Sequence, residues 1–576
     1  MNNIYKSILL GSMILTLYSC NDFLDIPAQG ILSDSQLNSP ENVEKLVISA
    51  YAQLGNDHYS VPNLLWPWGD LRGGDAYKGG DGPADIFFYN ALETFAPLQP
   101  DMSTFPPGAL KDMNNKMWVR QYIGISRINN AMRRLNEIEL GDFDKRDIRI
   151  AEMKFLRAHF YFVLKILYNR IPWYDENASV AEIEKLSNVQ YSSNELWDKI
   201  ANDLRAAADN LPESQNDVGR PNKYTAKSFL AKVLLFQAYE QDEEYKVVDI
   251  NGLKLAEVVD LVDEVSLSGK FQLVSDFAYP FLWEFENGKE SVFAIQRSRD
   301  DGTATGNLDF SSMLNNPMSN DFGCCWFHIP SQNLVNAFKT GADGLPLFDS
   351  FNSADLDLTV NTVDPRLDHT IAMPGKPWKY ESGLIYTEQE WTRQPGIYGP
   401  FSSMKENVSP LCECFEKITP FMSSSKNTIL IRYSDVLLWK AEALIELGRE
   451  DEALPVINEI RLRAQNSTAN LKDVNGDPLS DYKIELYQSA QWTQDYARKA
   501  LRWERRLELA LEGQRFFDLV RWGVASETVS EYLEVEKTKR TYLNDAMFVP
   551  GKNEYMPIPW QQMELSKGLY KQNRNY

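Results

Sequence analysis

After residue 20 the chain has no apolar run approaching the ~18 residues that a membrane-spanning helix needs, so its bulk reads as a globular passenger. Histidine is scarce: His58, His159, His328 and His369 are the whole set, and no two fall at helical metal-ligand spacing. His159, inside an apolar stretch, reads as a core residue. Also missing are G-x-S-x-G, H-E-x-x-H, G-x-x-x-x-G-K-[ST] and G-x-G-x-x-G, the common templates for nucleophilic hydrolysis, zinc chemistry and phosphate or dinucleotide binding. Positive charge is in deficit. The 59 Lys and Arg face 81 Asp and Glu, and the net charge of -22 argues against nucleic acid and anionic lipid surfaces as partners. Among so many carboxylates, pairs such as Asp300-Asp301 or Glu243-Glu244 carry no specific signal for glycoside hydrolysis.

Five cysteines are too few for a disulfide framework in a chain of 576 residues. Beyond Cys20 they are Cys324-Cys325 and Cys412-x-Cys414, which either pair across the fold or stay reduced. Neither spacing matches the C-x2-C pairs of common zinc sites. Asp473-Val474-Asn475-Gly476-Asp477 resembles half of a calcium loop but lacks the EF-hand glycine spacing and closing glutamate, so it reads as a polar turn. No cofactor is expected, and calcium is the one ion left open.

What is present starts at the amino terminus. Lys6, an apolar run over residues 8–17 and then Leu17-Tyr18-Ser19-Cys20 read as a secretory signal (residues 1–19) ending in a lipobox. Lipid on the Cys20 thiol would anchor the rest of the chain, since each buried methylene adds about 0.8 kcal/mol. The alternative is an ordinary signal peptide that leaves Cys20 inside the mature chain.

Helical period dominates residues 20–576, which read as one globular unit. In residues 194–211, Leu196, Ile200, Leu204, Ala208 and Leu211 share a face behind a Ser192-x-x-Glu195 capping box. Residues 223–239 repeat the pattern behind a Thr225 cap, and residues 147–168 are apolar nearly all round, as for a central buried helix. Residues 42–54 and 117–135 add two helices. Ala441, Ala443, Leu444, Leu447, Gly448, Ala453 and Leu454 have the look of a tetratricopeptide unit, with Pro455 needing an early turn. A long helix over 492–511 is expected, with Gly513 placed to cap it. Two stretches break the period: 55–116, rich in Gly, Pro and aromatics, and 267–430, rich in turn residues.

Several segments resemble the SusD/RagB family of lipoproteins: Cys20-Asn21-Asp22-Phe23-Leu24-Asp25-Ile26-Pro27; residues 152–172, with Asn169 where Gly is usual; residues 226–235; Asp364-Pro365-Arg366-Leu367; residues 431–438; residues 502–522; Pro557-Ile558-Pro559; and the terminal Gly568-Leu569-Tyr570. They run in family order along the whole chain. The resemblance implies a mainly α fold: a tetratricopeptide-like helical-repeat scaffold with long irregular loop regions forming a ligand-binding side. It also implies a surface-exposed lipoprotein of a Bacteroidota-type outer membrane, anchored through Cys20. Such a protein covers a SusC-type TonB-dependent barrel and captures oligosaccharide or polysaccharide for import, without catalysis. A peptide-uptake lipoprotein of the same fold and a helical glycoside hydrolase are the alternatives.

A sugar site needs flat aromatic rings beside Asp, Asn and Arg side chains. Trp66, Trp68, Asp70, Arg72, Asp75 and Tyr77 supply these within twelve residues, and Arg72-Gly73-Gly74-Asp75 resembles an R-G-D-D-like stretch of the family with one extra Gly. Arg72 and Asp75 either bond ligand or bridge the glycine turn; Trp66, Trp68 and Tyr77 lean towards ligand. Trp283, Arg297, Trp326 and Tyr386 are the candidates from the second loop region. The charged run at Arg502–Arg506, with Arg515 and Asp518, is expected to form buried ion pairs that fix the fold.

Overall fold

Side-chain caps set where the chain winds. Ser39 accepts from the Asn42 amide and Ser192 forms a full capping box with Glu195, each at a helix start. The computed structural model describes residues 39–62, 64–96, 113–304, 306–418 and 421–576. The signal segment, Cys20 and part of the first loop region lie outside the described residues. The helices that carry the architecture are α1 (Pro40–Gly55), α2 (Trp66–Gly73), α3 (Met113–Glu137), α4 (Arg146–Tyr168), α5 (Ser193–Asn210), α6 (Lys223–Ala238), α7 (Gly252–Leu267), α8 (Tyr433–Glu446), α9 (Glu450–Asn466), α10 (Gln494–Glu508), α11 (Arg515–Arg521) and α12 (Ala525–Lys539). Strands are short: β1 (Ala76–Gly79), β2 (Ser291–Ile295), β3 (Phe327–Pro330), β4 (Phe415–Ile418), β5 (Phe421–Ser424) and β6 (Thr428–Arg432). The fold is mainly α.

Two expected caps differ. α6 starts one turn earlier than a Thr225 cap would place it, because Asn222 accepts from the Tyr224 and Thr225 amides at 2.9 and 3.0 Å. The Thr225 hydroxyl instead donates to the Val292 carbonyl of β2. α10 stops at Glu508, five residues before Gly513, and the Gly513 amide is used elsewhere. Pro455 sits inside α9 in its second turn.

Successive helices pack on their neighbours: α1 on α3, then α3 on α4, and so on through α8, which also meets α9 and α10. α4 runs through the centre, with Phe155, Leu156, Tyr161 and Leu164 fully buried. Gly124 of α3 makes room for it, since a Cβ there would lie 2.7 Å from the Phe160 ring. The strands form antiparallel two-stranded ribbons. β2 pairs with β6, β4 with β5, and β1 with β3 in the register Tyr77↔Ile329, which ties the first loop region to the second.

α10 is the hub of a buried ion network. Glu504 accepts from Arg366 at 2.9 Å and from Arg461; Glu508 accepts from Arg432 at 2.7 Å, Arg366 at 3.3 Å and Arg463. Arg505 reaches Asp435 and Asp518, both at 2.8 Å, and Arg506 reaches Asp75 at 2.9 Å. Burial disfavours the Glu508 carboxylate, but its three arginines outweigh that and hold its pKa below the ordinary 4.5.

Glu508→Gln keeps the volume but leaves three buried guanidiniums short of a counter-charge. It should cost about 3–5 kcal/mol in denaturant titration. Since the folded carboxyl titrates low, the wild-type advantage should be full above pH 4.5 and shrink as pH falls below it. Gly69→Ala should cost the upper end of about 1–3 kcal/mol or more, because its Cβ would fall 2.0 Å from the Gly513 carbonyl oxygen.

Candidate functional site

The tryptophan-rich segment 66–77 folds as a short helix and a strand, and both are interior. α2 is buried at every position. Gly69 and Gly73 let it press directly on Gly513 and Arg515, and Gly74, at φ +77°, turns the chain out of the helix. Trp66 stacks on His328 with ring centroids 4.6 Å apart, and Trp68 is 0% exposed. Asp70 accepts from the Gly513 amide at 3.0 Å and pairs with His328. Arg72 lies over the Phe516 ring at 4.1 Å and donates to the Asn553 carbonyl, while Asp75 pairs with Arg506. The glycine turn is therefore not spanned by its own Arg and Asp. The Tyr77 hydroxyl donates to Glu536 and accepts from the Gln332 amide at 3.0 Å.

The second-region candidates follow the same rule, with one exception. Arg297 is enclosed by Asp57 at 2.5 Å and the Gly55 and Leu308 carbonyls. Trp326 donates its indole N–H to Ser402 Oγ at 2.8 Å, and the Tyr386 hydroxyl lies 3.1 Å from the same oxygen. Trp283 alone is partly exposed. The expected platform of Trp66, Trp68, Tyr77, Trp326 and Tyr386 is thus corrected, since a buried ring offers no face to a sugar. Trp66, Tyr77 and Trp326 seam the two loop regions together through His328, Gln332 and the Gly80 amide, whereas Trp68 packs on Phe88 and Tyr386 on Trp378 and Trp391 within their own regions. Asp70 and Arg297 form buried pairs across that seam, and Arg72 and Asp75 tie the first region to Asn553 and Arg506, so these four are buried partners rather than open hydroxyl-binding groups.

At its centre His328 bridges two carboxylates, with Nε2 3.0 Å from Asp70 and Nδ1 2.7 Å from Glu406. Burial alone would depress the imidazole, but Glu406 and Asp70 outweigh it and raise its pKa to about 9. Burial pushes Asp70 up to about 6, partly offset by His328, whereas Glu406 stays below its ordinary value. All three are charged at neutral pH. Enclosed in the core, the trio cannot reach a substrate and is a structural clasp.

The cysteines pair locally, Cys324 with Cys325 and Cys412 with Cys414, and not across the fold. Asp473 accepts from the Asn475 and Asp477 amides in a polar turn. Among the described residues no group of three or more His, Cys, Asp or Glu is arranged to hold a metal ion.

Aromatic rings that face solvent occur elsewhere, among them rings in residues 279–285. Two consecutive single-turn 3-10 helices, Tyr279–Phe281 and Trp283–Phe285, bring Tyr279 and Phe285 into a parallel stack with centroids 4.0 Å apart and planes 13° apart. Phe285 is 44% exposed, and Trp283 sits two residues away. Beside them lies an amide cluster. Asn287 and Gln296 exchange hydrogen bonds at 3.0 and 3.1 Å, and Asn427 donates to Gln296 at 3.0 Å. The Asn427 carbonyl oxygen also accepts from the Arg297 backbone amide at 2.7 Å, which anchors the cluster to the seam. A shallow cleft of about 20 Å³ between rings and amides makes this a platform, not a pocket. Through Asp57, Arg297 also holds the loop with His58 and Tyr59, whose ring faces Phe421 at 6.0 Å. Tyr279, Phe285, Asn287, Gln296 and Asn427 were not singled out from the sequence. The available signal was Tyr279-Pro280-Phe281-Leu282-Trp283-Glu284-Phe285, four aromatics in seven residues without helical period.

Comparison with known proteins bears on this architecture. Residues 289–576 match the model of the SusD family, and residues 101–235 match a model described as starch-binding, associating with outer membrane. A SusD-like protein P2 of Formosa agariphila is 23% identical, over 98% of this chain and 98% of its own. A solved SusD homologue from Bacteroides thetaiotaomicron superposes with a TM-score of 0.70 at 19% identity, covering 94% of this chain and 98% of that one. Surface glycan-binding protein A from Bacteroides thetaiotaomicron, solved in complex with laminarihexaose, has a TM-score of 0.61 at 19% identity, covering 93% and 99%.

The clasp has a pH signature. The His328 pKa is raised from 6.5, so its stabilisation is full below pH 6.5 and is lost as pH rises through about 9. Asp70, also raised, adds a loss of the same sign at lower pH. Urea midpoints across pH 6.5 to 9 should fall by the equivalent of about 3 kcal/mol in the wild type. In His328→Gln that slope should flatten.

Proposed function

The chain belongs to the SusD family, and from that premise we propose that it captures glycans on its loop face and delivers them to a SusC-type TonB-dependent barrel. The observation that carries this reading is the exposed Tyr279–Phe285 stack beside the Asn287, Gln296 and Asn427 amides. Rings meet the C–H faces of pyranoses, and amides offer both donor and acceptor to hydroxyl pairs. The starch-binding description of one matching family model and the laminarihexaose complex of a structural relative support the ligand class. Anchoring through Cys20 places the chain on the outer membrane surface, within reach of the barrel.

Binding without catalysis fits the geometry: the side chains of the Asp70–His328–Glu406 trio are nearly sealed from solvent. Capture is followed by hinge closure over the barrel and handover driven from the inner membrane. A shallow platform gives modest affinity and fast release. A glycan touched by both proteins would bind tighter in the closed state, and closure would be favoured to the same degree.

The soluble Cys20→Ala chain without its signal should be retarded in affinity electrophoresis by one polysaccharide class, with no reducing sugar released. Phe285→Ala and Trp283→Ala should each weaken oligosaccharide binding by about tenfold, the worth of one stacked ring. Trp66→Ala should instead lower the melting temperature. Sugar release, binding of oligopeptides only, or retardation unchanged in Phe285→Ala would overturn this reading.

A further inference from the structure

A cavity of about 290 Å³ opens on the helical side, walled by α5, α6 and α11. Its lining comes from residues 166–248 and 517–555, so it shares nothing with the loop platform. Trp197, Phe236 and Tyr239 give it aromatic walls, and Val248, 65% exposed, stands at its rim.

Two buried polar atoms in this lining lack a protein partner: Gln237 Oε1 and Arg521 Nε. Gln237 is 2% exposed and Arg521 3%. The Gln237 orientation is set by its neighbour. Its Nε2 donates to Asp198 at 2.7 Å, and that carboxylate can only accept, so the carbonyl end is left free. Arg521 spends its terminal nitrogens on Glu442 and Asp518, which neutralise its charge and leave the Nε–H free. A buried donor or acceptor left unpaired in this way is destabilising until a ligand meets it.

We propose that this cavity is a second ligand site, taking one neutral hydroxylated ring of pyranose size. The free groups are one acceptor and one donor without net charge, and a hydroxyl both donates and accepts. Glu240 and Glu243 in the lining repel an anion, while Glu243 is engaged by Arg170 at 2.7 Å, which weakens any pull on a cation. Aromatic walls suit the C–H faces of such a ring, and the volume is at the small end of ligand pockets.

The test is ligand-observed NMR of the soluble chain with methyl glucopyranoside, galactopyranoside and mannopyranoside. One of them should saturate with a Kd on the order of 1 mM. Val248→Trp, which fills the mouth from an exposed position, and Gln237→Leu should each weaken that binding at least tenfold. Phe285→Ala should leave it unchanged, so this site and the platform fail separately. No saturable binding of any pyranoside, binding unchanged in Val248→Trp, or a soaked crystal with only water in the cavity would each overturn the proposal.

Discussion

The charged end of α10 is the point on which the C-terminal helices and both loop regions converge. From one helix, Glu504, Arg505, Arg506 and Glu508 reach α8, α9, α11, the turn after α2 and the Asp364–Arg366 corner. Buried ions are costly to desolvate, so such a network adds little net stability over an apolar core. Its consequence is specificity. Glu504 is shared by two arginines and Glu508 by three, and no partial docking of these elements satisfies the set. Helices and loop regions must therefore arrive together.

That constraint explains why the loop regions are rigid enough to carry a binding face. The Asp75–Arg506 pair holds the first region on α10, and the β1–β3 ribbon and His328 clasp hold the second region on the first. The Asp57–Arg297 pair then holds the end of the β2–β6 ribbon, where Gln296 follows β2 and Asn427 precedes β6. A platform built in advance loses little conformational entropy when ligand arrives, which matters most when a shallow site makes few contacts. The buried tryptophans serve binding indirectly, by stiffening what lies beneath it.

The molecule offers two unlike surfaces. The loop side presents stacked rings and amides in the open, whereas the helical side encloses a small cavity with unspent hydrogen-bonding groups. They draw on different residues of the chain. Occupancy of one need not displace the other, and a ligand at either can bias the docking of a partner only through differential contacts.

Periodicity and capping chemistry by themselves determined the helices: the Ser192–Glu195 box, the all-round apolar α4 and the paired helices around Gly448 are local signals that short-range geometry obeys. The ordered family motifs likewise marked Arg502–Arg506, Arg515 and Asp518 for buried ion pairs, which Glu504, Arg505, Arg506 and Asp518 form, whereas Arg502 lies over the Trp522 ring instead. What only the tertiary structure decided is which aromatics face water. Trp66 and Trp68 lie in a glycine-rich segment that looks like an exposed loop, yet those glycines exist so that backbone can meet backbone at Gly513, and that contact closes over the rings. The His328 clasp joins positions 70, 328 and 406, and the amide cluster joins 287, 296 and 427. Such meetings are set by long-range packing, and burial is a property of the assembled neighbourhood rather than of the residue.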